Sequence, residues 1–487
     1  MERSMPHTPM SPDGFSRVIR LVQDTDRSIG ASRSDAAPGD GERVSGPRPA
    51  AQFAGLSAPR YTSYPTAADF RGDLDPELHE SWLARVSPGE AVSIYLHVPY
   101  CREICHYCGC HTKAIRRAEP VEAYRDALRE EIRLAAAVLP RRLPVARIAW
   151  GGGTPSILGA NGIASIVSTL EAHFDLGALR EHAIELDPRH VDASLARGLA
   201  DIGIDRVSLG VQDLDPAVQA AIGRIQPERT VRDAVAVLRA AGISGINFDL
   251  MYGLPHQDET TIAATCRAVA DLAPDRIACY GYAHLPARRA NQRLVDAEAL
   301  PGAEERLRQA ALVARCLGAR GYQPIGVDHF ARMCDPLAVA SRAGRLHRNF
   351  QGYTDDDRPT LLGFGASSIS RFFQGFVQNA VDIAAYRRAL ERGALPTGRG
   401  LPLTRDDRDR GAIIEALLCD FRVDLSGQAG RFAEELARLR PYLADGLVTF
   451  DRGVLAVSRT GRPFARLVAQ VFDAYRNGQG TGFSRVV

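Results

Sequence analysis

The chain has 487 residues, 45% of them hydrophobic, enough to bury a large core and more than one domain. Lys plus Arg (60) nearly cancels Asp plus Glu (58), and a formal charge of +2 gives no global attraction for nucleic acid. There is no run of about 18 apolar residues and no apolar stretch behind the N-terminal charges, so the chain reads as cytoplasmic, with neither a membrane span nor a secretory signal.

Residues 1–50 are rich in Ser, Pro, Gly, Arg and Asp and read as a disordered extension, with Phe15 to Val22 the one stretch suited to a helical turn. From Val92 a regular alternation begins. Strand-like runs fall at Val92–Val98, Val145–Trp150, Ala183–Leu186, Arg206–Val211, Gly245–Met251 and Arg276–Tyr282, with helical segments between most of them. One intervening helix places Tyr124, Leu128, Ile132 and Ala135 on a single face, another Val231, Val235 and Leu238. This predicts an α/β fold, a parallel sheet wound into a partial or complete (β/α) barrel over residues 51–374, whose chemistry sits at the C-terminal ends of the strands. Gln323 to Asp328 reads as one further strand. From Gly375 the pattern turns helical, with Ile413, Leu417 and Phe421 at helical spacing, predicting a smaller C-terminal domain over 375–487. There Leu447–Phe450 and Val454–Val457 flank Asp451-Arg-Gly453 as a hairpin of winged-helix type. No basic stripe accompanies it, which favours a lid over a DNA-binding module.

Four of the nine cysteines fall within ten residues, a pattern of metal binding in a reducing compartment. They lie on the loop after the first strand, Tyr95-Leu-His-Val-Pro-Tyr-Cys101-Arg-Glu-Ile-Cys105-His-Tyr-Cys108-Gly-Cys110. Three thiolates at Cys-x3-Cys-x2-Cys spacing can grip three irons of a cubane and leave the fourth open, whereas a zinc knuckle uses two Cys pairs separated by a longer insert. A fourth ligand at Cys110 would close that open iron to any other group. Cys266, Cys279, Cys316, Cys334 and Cys419 are scattered and read as small apolar residues. Gly151-Gly152-Gly153-Thr154-Pro155 follows the second strand, where glycines form a structural turn or admit a ligand to the backbone. Glu185, Gln212 and Asp249 close the third, fourth and fifth strands, and their repetition favours a lined pocket over turn or cap residues.

The cysteine loop resembles the hallmark of the radical S-adenosylmethionine superfamily. From about Pro59 onward the chain is similar to one family within it, the oxygen-independent coproporphyrinogen III oxidases, or dehydrogenases, of bacterial heme synthesis. The matching segments are Arg60 to Thr66, the cysteine loop, Trp150 to Pro155, Glu185 to Arg189, Gly210 to Asp213, Asp249 to Pro255, Tyr282 to Pro286 and Leu346 to Tyr353. The resemblance implies a four-iron four-sulfur cluster on Cys101, Cys105 and Cys108. It further implies two S-adenosylmethionine molecules held among Tyr95, Tyr107, Gly152, Gly153, Thr154, Glu185, Gln212, Arg224, Asp249, Ala283 and Ile369, with Cys110 and Tyr107 needed for catalysis. The implied reaction turns the propionates on rings A and B of coproporphyrinogen III into vinyl groups, giving protoporphyrinogen IX. A low-potential donor such as flavodoxin or ferredoxin would supply the electron to a monomeric enzyme, with an unknown final acceptor. Because that substrate carries four carboxylates, Arg60, His347 and Arg348 are candidate substrate ligands. The rival reading is a heme-binding chaperone paralogue, which typically lacks the fourth cysteine and carries His-Asn-x-x-Tyr-Trp. Here Cys110 is present and Leu346-His-Arg-Asn-Phe-Gln-Gly stands instead.

Overall fold

The computed structural model describes residues 51–72, 74–476 and 483–487, so the expected extension over 1–50, with its Phe15–Val22 segment, lies outside the described residues. The six expected strands are present: β1 (Val92–Val98), β2 (Val145–Gly152), β3 (Glu181–Leu186), β4 (Arg206–Gln212), β5 (Gly245–Tyr252) and β6 (Arg276–Gly281). Each pairs in parallel with the next. Between them run α1 (Glu119–Val138), α2 (Gly159–His173), α3 (Ala193–Asp201), α4 (Glu228–Ala240) and α5 (Glu259–Asp271).

Parallel strands covered on both faces are usually apolar throughout. β3, β4 and β5 alternate instead, because one face lines a cavity. In β4, Val207, Leu209 and Val211 are buried, while Arg206, Ser208, Gly210 and Gln212 face the cavity. In β5, Ile246, Phe248 and Leu250 are buried, and Asn247, Asp249 and Met251 face inward. The helices cover the outer, apolar face. α1 buries Tyr124, Leu128, Ile132 and Ala135, and α4 buries Val231, Ala234, Val235 and Leu238, the stripes expected from spacing. Cutting one such residue, Leu238, to alanine would cost about 2–5 kcal/mol, the transfer loss plus the cavity left behind.

The sheet is larger than the sequence indicated. Four more of its strands precede or follow a small hairpin of β9 (His347–Asn349) and β10 (Gly352–Thr354): β7 (Tyr322–Ile325), β8 (His329–Arg332), β11 (Leu361–Phe364) and β12 (Ile369–Phe372). With β13 (Gly375–Asn379) and β14 (Thr397–Pro402) the order becomes β14-β13-β12-β11-β1-β2-β3-β4-β5-β6-β8-β7, twelve strands whose two ends do not pair with each other. β11 continues the parallel set beside β1, while the outer strands are antiparallel.

Two expectations need correction. Gln323 to Asp328 is not one strand. It spans the end of β7 and a turn through Gly326, whose φ of 54° and contact with the Tyr353 ring suit glycine, and β8 returns antiparallel. A boundary at residue 374 would cut the β12–β13 hairpin, since the main sheet runs on to Pro402.

Beyond Pro402 a helix at Arg405–Cys419 leads to β15 (Arg422–Asp424), short helices at Ala433–Arg438 and Arg440–Ala444, and the expected hairpin of β16 (Val448–Asp451) and β17 (Val454–Val457). This three-stranded sheet has its own core around Leu417, Phe432, Leu455, Val468 and Phe472. The segment before the barrel threads into that core. Tyr61 and Tyr64 are buried in it, Tyr61 Oη donates to Asp473 Oδ2 at 2.9 Å, and Arg476 grips Asp69 at 2.8 Å.

At the N-terminal end of the barrel strands an ion-pair lattice forms a floor. Arg147 pairs with Glu181 (2.9 Å) and Asp355 (2.8 Å), Arg206 with Glu181 (2.8 Å), and Arg276 with Asp335 (2.7 Å). Removing one partner would strand a buried charge at about 3–5 kcal/mol. The floor confines chemistry to the opposite end.

Candidate active site

A cavity of about 940 Å³ opens at the C-terminal ends of the strands. Cys101, Cys105, Cys108 and Cys110 all line it. The cysteine loop is held at both ends and in the middle. Tyr100–Cys101 pairs with Lys113–Ala114, and His106 N donates to Ile222 O at 2.9 Å. Asn291 Nδ2 donates to the carbonyls of Cys105 (3.1 Å), His106 (3.1 Å) and Cys108 (2.9 Å), and Gln292 Nε2 to that of Tyr107 (2.8 Å). The loop is thus shaped by side chains far along the sequence, on a 3₁₀ turn at Ala290–Leu294.

The sulfurs have donors beside them. Thr154 Oγ1 lies 3.5 Å from Cys101 Sγ, Arg224 Nη1 is 3.4 Å from Cys105 Sγ, and the Cys110 amide donates to Cys108 Sγ at 3.4 Å. The Cys110 contacts draw the Cys108 thiol down to about 7. Arg224 is itself buried. It donates to Gly210 O (2.7 Å) and pairs with Asp187 (3.2 Å), whose carboxyl, despite burial, Arg189 and Arg224 hold well below the ordinary value.

Beside the cysteines lies a glycine cradle. At Gly152 φ is 107°, and a Cβ there would run into the His97 ring; at Gly153 it would run into Tyr100 O and Thr112 Oγ1. The two glycines let this backbone pack directly against His97 and Tyr100 while lining the cavity. Glu185 accepts from Gly152 N at 3.2 Å, and the Tyr95 hydroxyl, 3.2 Å from His97 Nδ1, abuts Gly151. Burial, and then the charge of Asp249, push the Glu185 carboxyl up to about 7. Burial likewise raises Asp249 to about 6, although Ser208 Oγ donates to it at 3.1 Å. Two carboxyls facing one cavity, Asp249 half-buried and Glu185 open to it, are a seat for an ammonium or sulfonium group, whose charge would draw both back to the ionised form. Gln212 ends β4 at a bulge with φ of 65°, which turns its side chain into the cavity. Tyr107 packs against Val218, Ile222 and Tyr282, and Ala283 lines the same wall.

These features fit a cubane cluster. Three thiols stand around one lobe of the cavity with N–H and guanidinium donors to sulfur, and the glycine cradle adjoins them. Cys110 is exposed at the cavity mouth.

Three expected site residues are placed elsewhere. Ile369, on β12 beyond β11, packs against Phe70, Phe376 and Leu401 and does not line the cavity. His347 contacts Glu415 at 3.3 Å and lines a separate polar cavity near the floor, with Arg147 and Asp355. Arg348 is buried behind the wall, its Nε donating to Arg60 O at 3.2 Å. Arg60 does reach the cavity, anchored by Nη2 to Gly281 O at 2.8 Å. The sequence reading missed Asn291, Gln292, Asp187, Ser208 and His329. Only Asp187 stood within a noted motif, and the loop bearing Asn291 has no periodicity to mark it.

Fold and site together define a radical S-adenosylmethionine protein, and the family model for the Radical SAM superfamily matches residues 95–269. An oxygen-independent coproporphyrinogen III oxidase of Bradyrhizobium diazoefficiens is 45% identical over 424 residues, 86% of this chain and 94% of that one. Its counterpart in Escherichia coli K12 is 38% identical over 441 residues, 88% of this chain and 96% of that one. The solved structure of an Escherichia coli coproporphyrinogen III oxidase, described as a radical SAM enzyme, superposes with a TM-score of 0.81 at 37% identity, covering 86% of this chain and all of that one. The chain belongs to the oxygen-independent coproporphyrinogen III oxidase family. Among the described residues no helix is long and apolar enough to cross a membrane.

Proposed function

We propose that this chain oxidatively decarboxylates the propionates on rings A and B of coproporphyrinogen III to vinyl groups, releasing protoporphyrinogen IX. The observation that carries this reading is the joining, in one cavity, of the Cys101, Cys105 and Cys108 thiols, the Gly152–Gly153 backbone and the Glu185 and Asp249 carboxyls. When bound, a four-iron four-sulfur cluster and S-adenosylmethionine supply a carbon-centred radical able to take a hydrogen atom from the substrate. The protein's own residues hold and exclude. Cys101, Cys105 and Cys108 hold three irons, and Arg224 offsets thiolate charge near Cys105. The backbone at Gly152 and Gly153, with Thr154, receives the amino-acid end of S-adenosylmethionine, and Glu185, Gln212 and Asp249 bind its polar groups. Tyr95, Tyr107 and Ala283 complete this set. A cavity of this size accommodates a second S-adenosylmethionine, as the family resemblance implies. Cys110, beside Cys108 but not binding iron, and Tyr107 take part in the reaction itself. No general base is required, because positioning and exclusion of water are what the reaction asks of the protein.

In this reading the residues after Pro402 act as a lid, and residues 1–50 are an extension outside the catalytic unit. The enzyme works as a cytoplasmic monomer and takes its electron from a flavodoxin or ferredoxin. The test is anaerobic reconstitution, reduction, and assay with coproporphyrinogen III and S-adenosylmethionine. Protoporphyrinogen IX is the expected product. Stoichiometric heme binding without vinyl formation would overturn the assignment in favour of a chaperone.

A further inference from the structure

One wall of the cavity carries more positive charge than its neighbours balance. Arg60 lies with its guanidinium 5.7 Å over the Tyr280 ring and donates to a backbone carbonyl, Gly281 O. Behind it, the buried Arg466 donates to the carbonyls of Ala58 and Arg485 and to Ser484 Oγ. The buried Arg348 lies 4.4 Å over the Tyr353 ring, and its Nη1 has no hydrogen-bond partner among the described residues. Asp328 serves this whole group. It stands 3.7 Å from Arg348 Nη1 and 2.7 Å from His329 Nδ1, and no carboxylate lies within ion-pair distance of Arg60 or Arg466 among the described residues. Burial, and then the charge of Arg60, bring the Arg466 guanidinium down to about 10. Crowding like charges in a low-dielectric wall is costly unless an anion joins them.

His329 and Arg60 are the members of this group that line the cavity. With Nδ1 engaged by Asp328, the imidazole presents Nε2 to the cavity, where its nearest partner is Tyr280 Oη at a long 3.5 Å. The ring is wedged edge-on between Tyr280 and Tyr353, with centroids 5.6 and 5.2 Å away. Gly352 keeps it uncovered. At φ of 121° this residue has no side chain, and a Cβ would stand 2.9 Å from Nε2.

We propose that Arg60 and His329 form the seat for a propionate carboxylate that the enzyme does not remove, with Asp328 and Arg348 as the residues that position His329. The proposal rests on the reading of the substrate as a tetracarboxylate porphyrinogen. It is directed at a retained propionate because a carboxylate fixed between two cations is opposed in leaving as neutral carbon dioxide. To donate from Nε2 while Nδ1 donates to Asp328, the imidazole must be protonated. Asp328, Asp249, Arg348 and Arg60 are the charged groups around it, and Tyr280 and Tyr353 stay neutral because burial raises both hydroxyls.

The test uses cluster-loaded full-length protein under anaerobic conditions, with coproporphyrin III and its tetramethyl ester as fluorescent binding probes and coproporphyrinogen III for turnover. Arg60→Gln and His329→Gln should each weaken coproporphyrin III binding about tenfold or more, as loss of a charge-assisted hydrogen bond does. The ester's affinity, the iron content and S-adenosylmethionine binding should not change, and KM for coproporphyrinogen III should rise more than kcat falls. Arg60→Lys should recover part of the loss. Asp328→Asn should weaken the acid probe but not the ester. Equal affinity of wild type and both glutamine variants for coproporphyrin III, with iron intact, would overturn the proposal. A wild-type enzyme that forms no protoporphyrinogen IX would overturn the functional reading on which it rests, which is a separate result.

Discussion

Replacing Asn291 by alanine removes a clamp that the cysteine loop cannot replace from its own sequence. The side-chain amide reaches three loop carbonyls, of Cys105, His106 and Cys108, at 3.1, 3.1 and 2.9 Å. Two hydrogens serve three acceptors, so the set counts as roughly two full hydrogen bonds, each worth about 1 kcal/mol net. Losing about 2 kcal/mol makes loop opening about thirty times more frequent, at tenfold per 1.4 kcal/mol. Gln292 still holds Tyr107 O, so the loop should loosen rather than unfold. Under anaerobic challenge with a strong iron chelator, Asn291→Ala should lose its iron roughly tenfold or more faster than wild type, and amide exchange should quicken over residues 101–110 while β1 to β6 stay protected. Equal iron-loss rates and equal loop protection would refute the reasoning, since the loop would then be held by its own turns and the cluster alone.

Serine at Cys101, Cys105 or Cys108 should abolish the four-iron cluster, while Cys110→Ser should keep its iron and lose vinyl formation; an iron assay beside a product assay separates the two, and iron loss in Cys110→Ser would show the ligand set to be misplaced. Gly152→Ala should cut S-adenosylmethionine affinity by about tenfold or more without removing iron, because the new methyl meets the His97 ring; isothermal titration of the reconstituted protein checks it. The Glu185 carboxyl is raised in the folded state from 4.5 to about 7, so the folded protein holds its proton more tightly than the unfolded chain does. That makes stability fall as pH rises from about 4.5 to about 7, by less than the shift alone implies, because the side chain is open to the cavity and solvent screens it. Glu185→Gln should therefore raise the Tm of the S-adenosylmethionine-free protein at pH 8 and leave it nearly unchanged at pH 4.5, and a gain equal at both pH values would contradict the burial argument.

Several core strands were legible because they carry an inner–outer alternation, as β4 and β5 do. Val207, Leu209 and Val211 against Ser208, Gly210 and Gln212 announce both a strand and the face that meets the cavity. The same alternation put Glu185, Gln212 and Asp249 into one pocket, and the cysteine spacing needed no structure to be read. The outer strands were harder. β12, β13 and β14 are short and antiparallel, with buried polar residues such as Ser370, Gln378 and Asn379, so nothing in their pattern joined them to the barrel rather than to the helices that follow. The turn at Gly326 lay hidden because Tyr322 to Ile325 and His329 to Arg332 are nearly continuous in composition. Charge recognition was the least legible. His347 and Arg348 are neighbours in sequence, yet one faces the floor and the other sits behind the cavity wall, while His329 looked like any histidine until Asp328 and Gly352 were seen around it.

The central claim is that this cavity brings a radical to a propionate β-carbon. Coproporphyrinogen III deuterated at the propionate β-carbons, turned over anaerobically with excess S-adenosylmethionine and reductant, tests it most directly by mass spectrometry of the 5′-deoxyadenosine formed. One deuterium transferred for each vinyl group made, with two vinyl groups per substrate molecule, is the predicted result. Unlabelled 5′-deoxyadenosine, or deuterium transfer without vinyl formation, would contradict it.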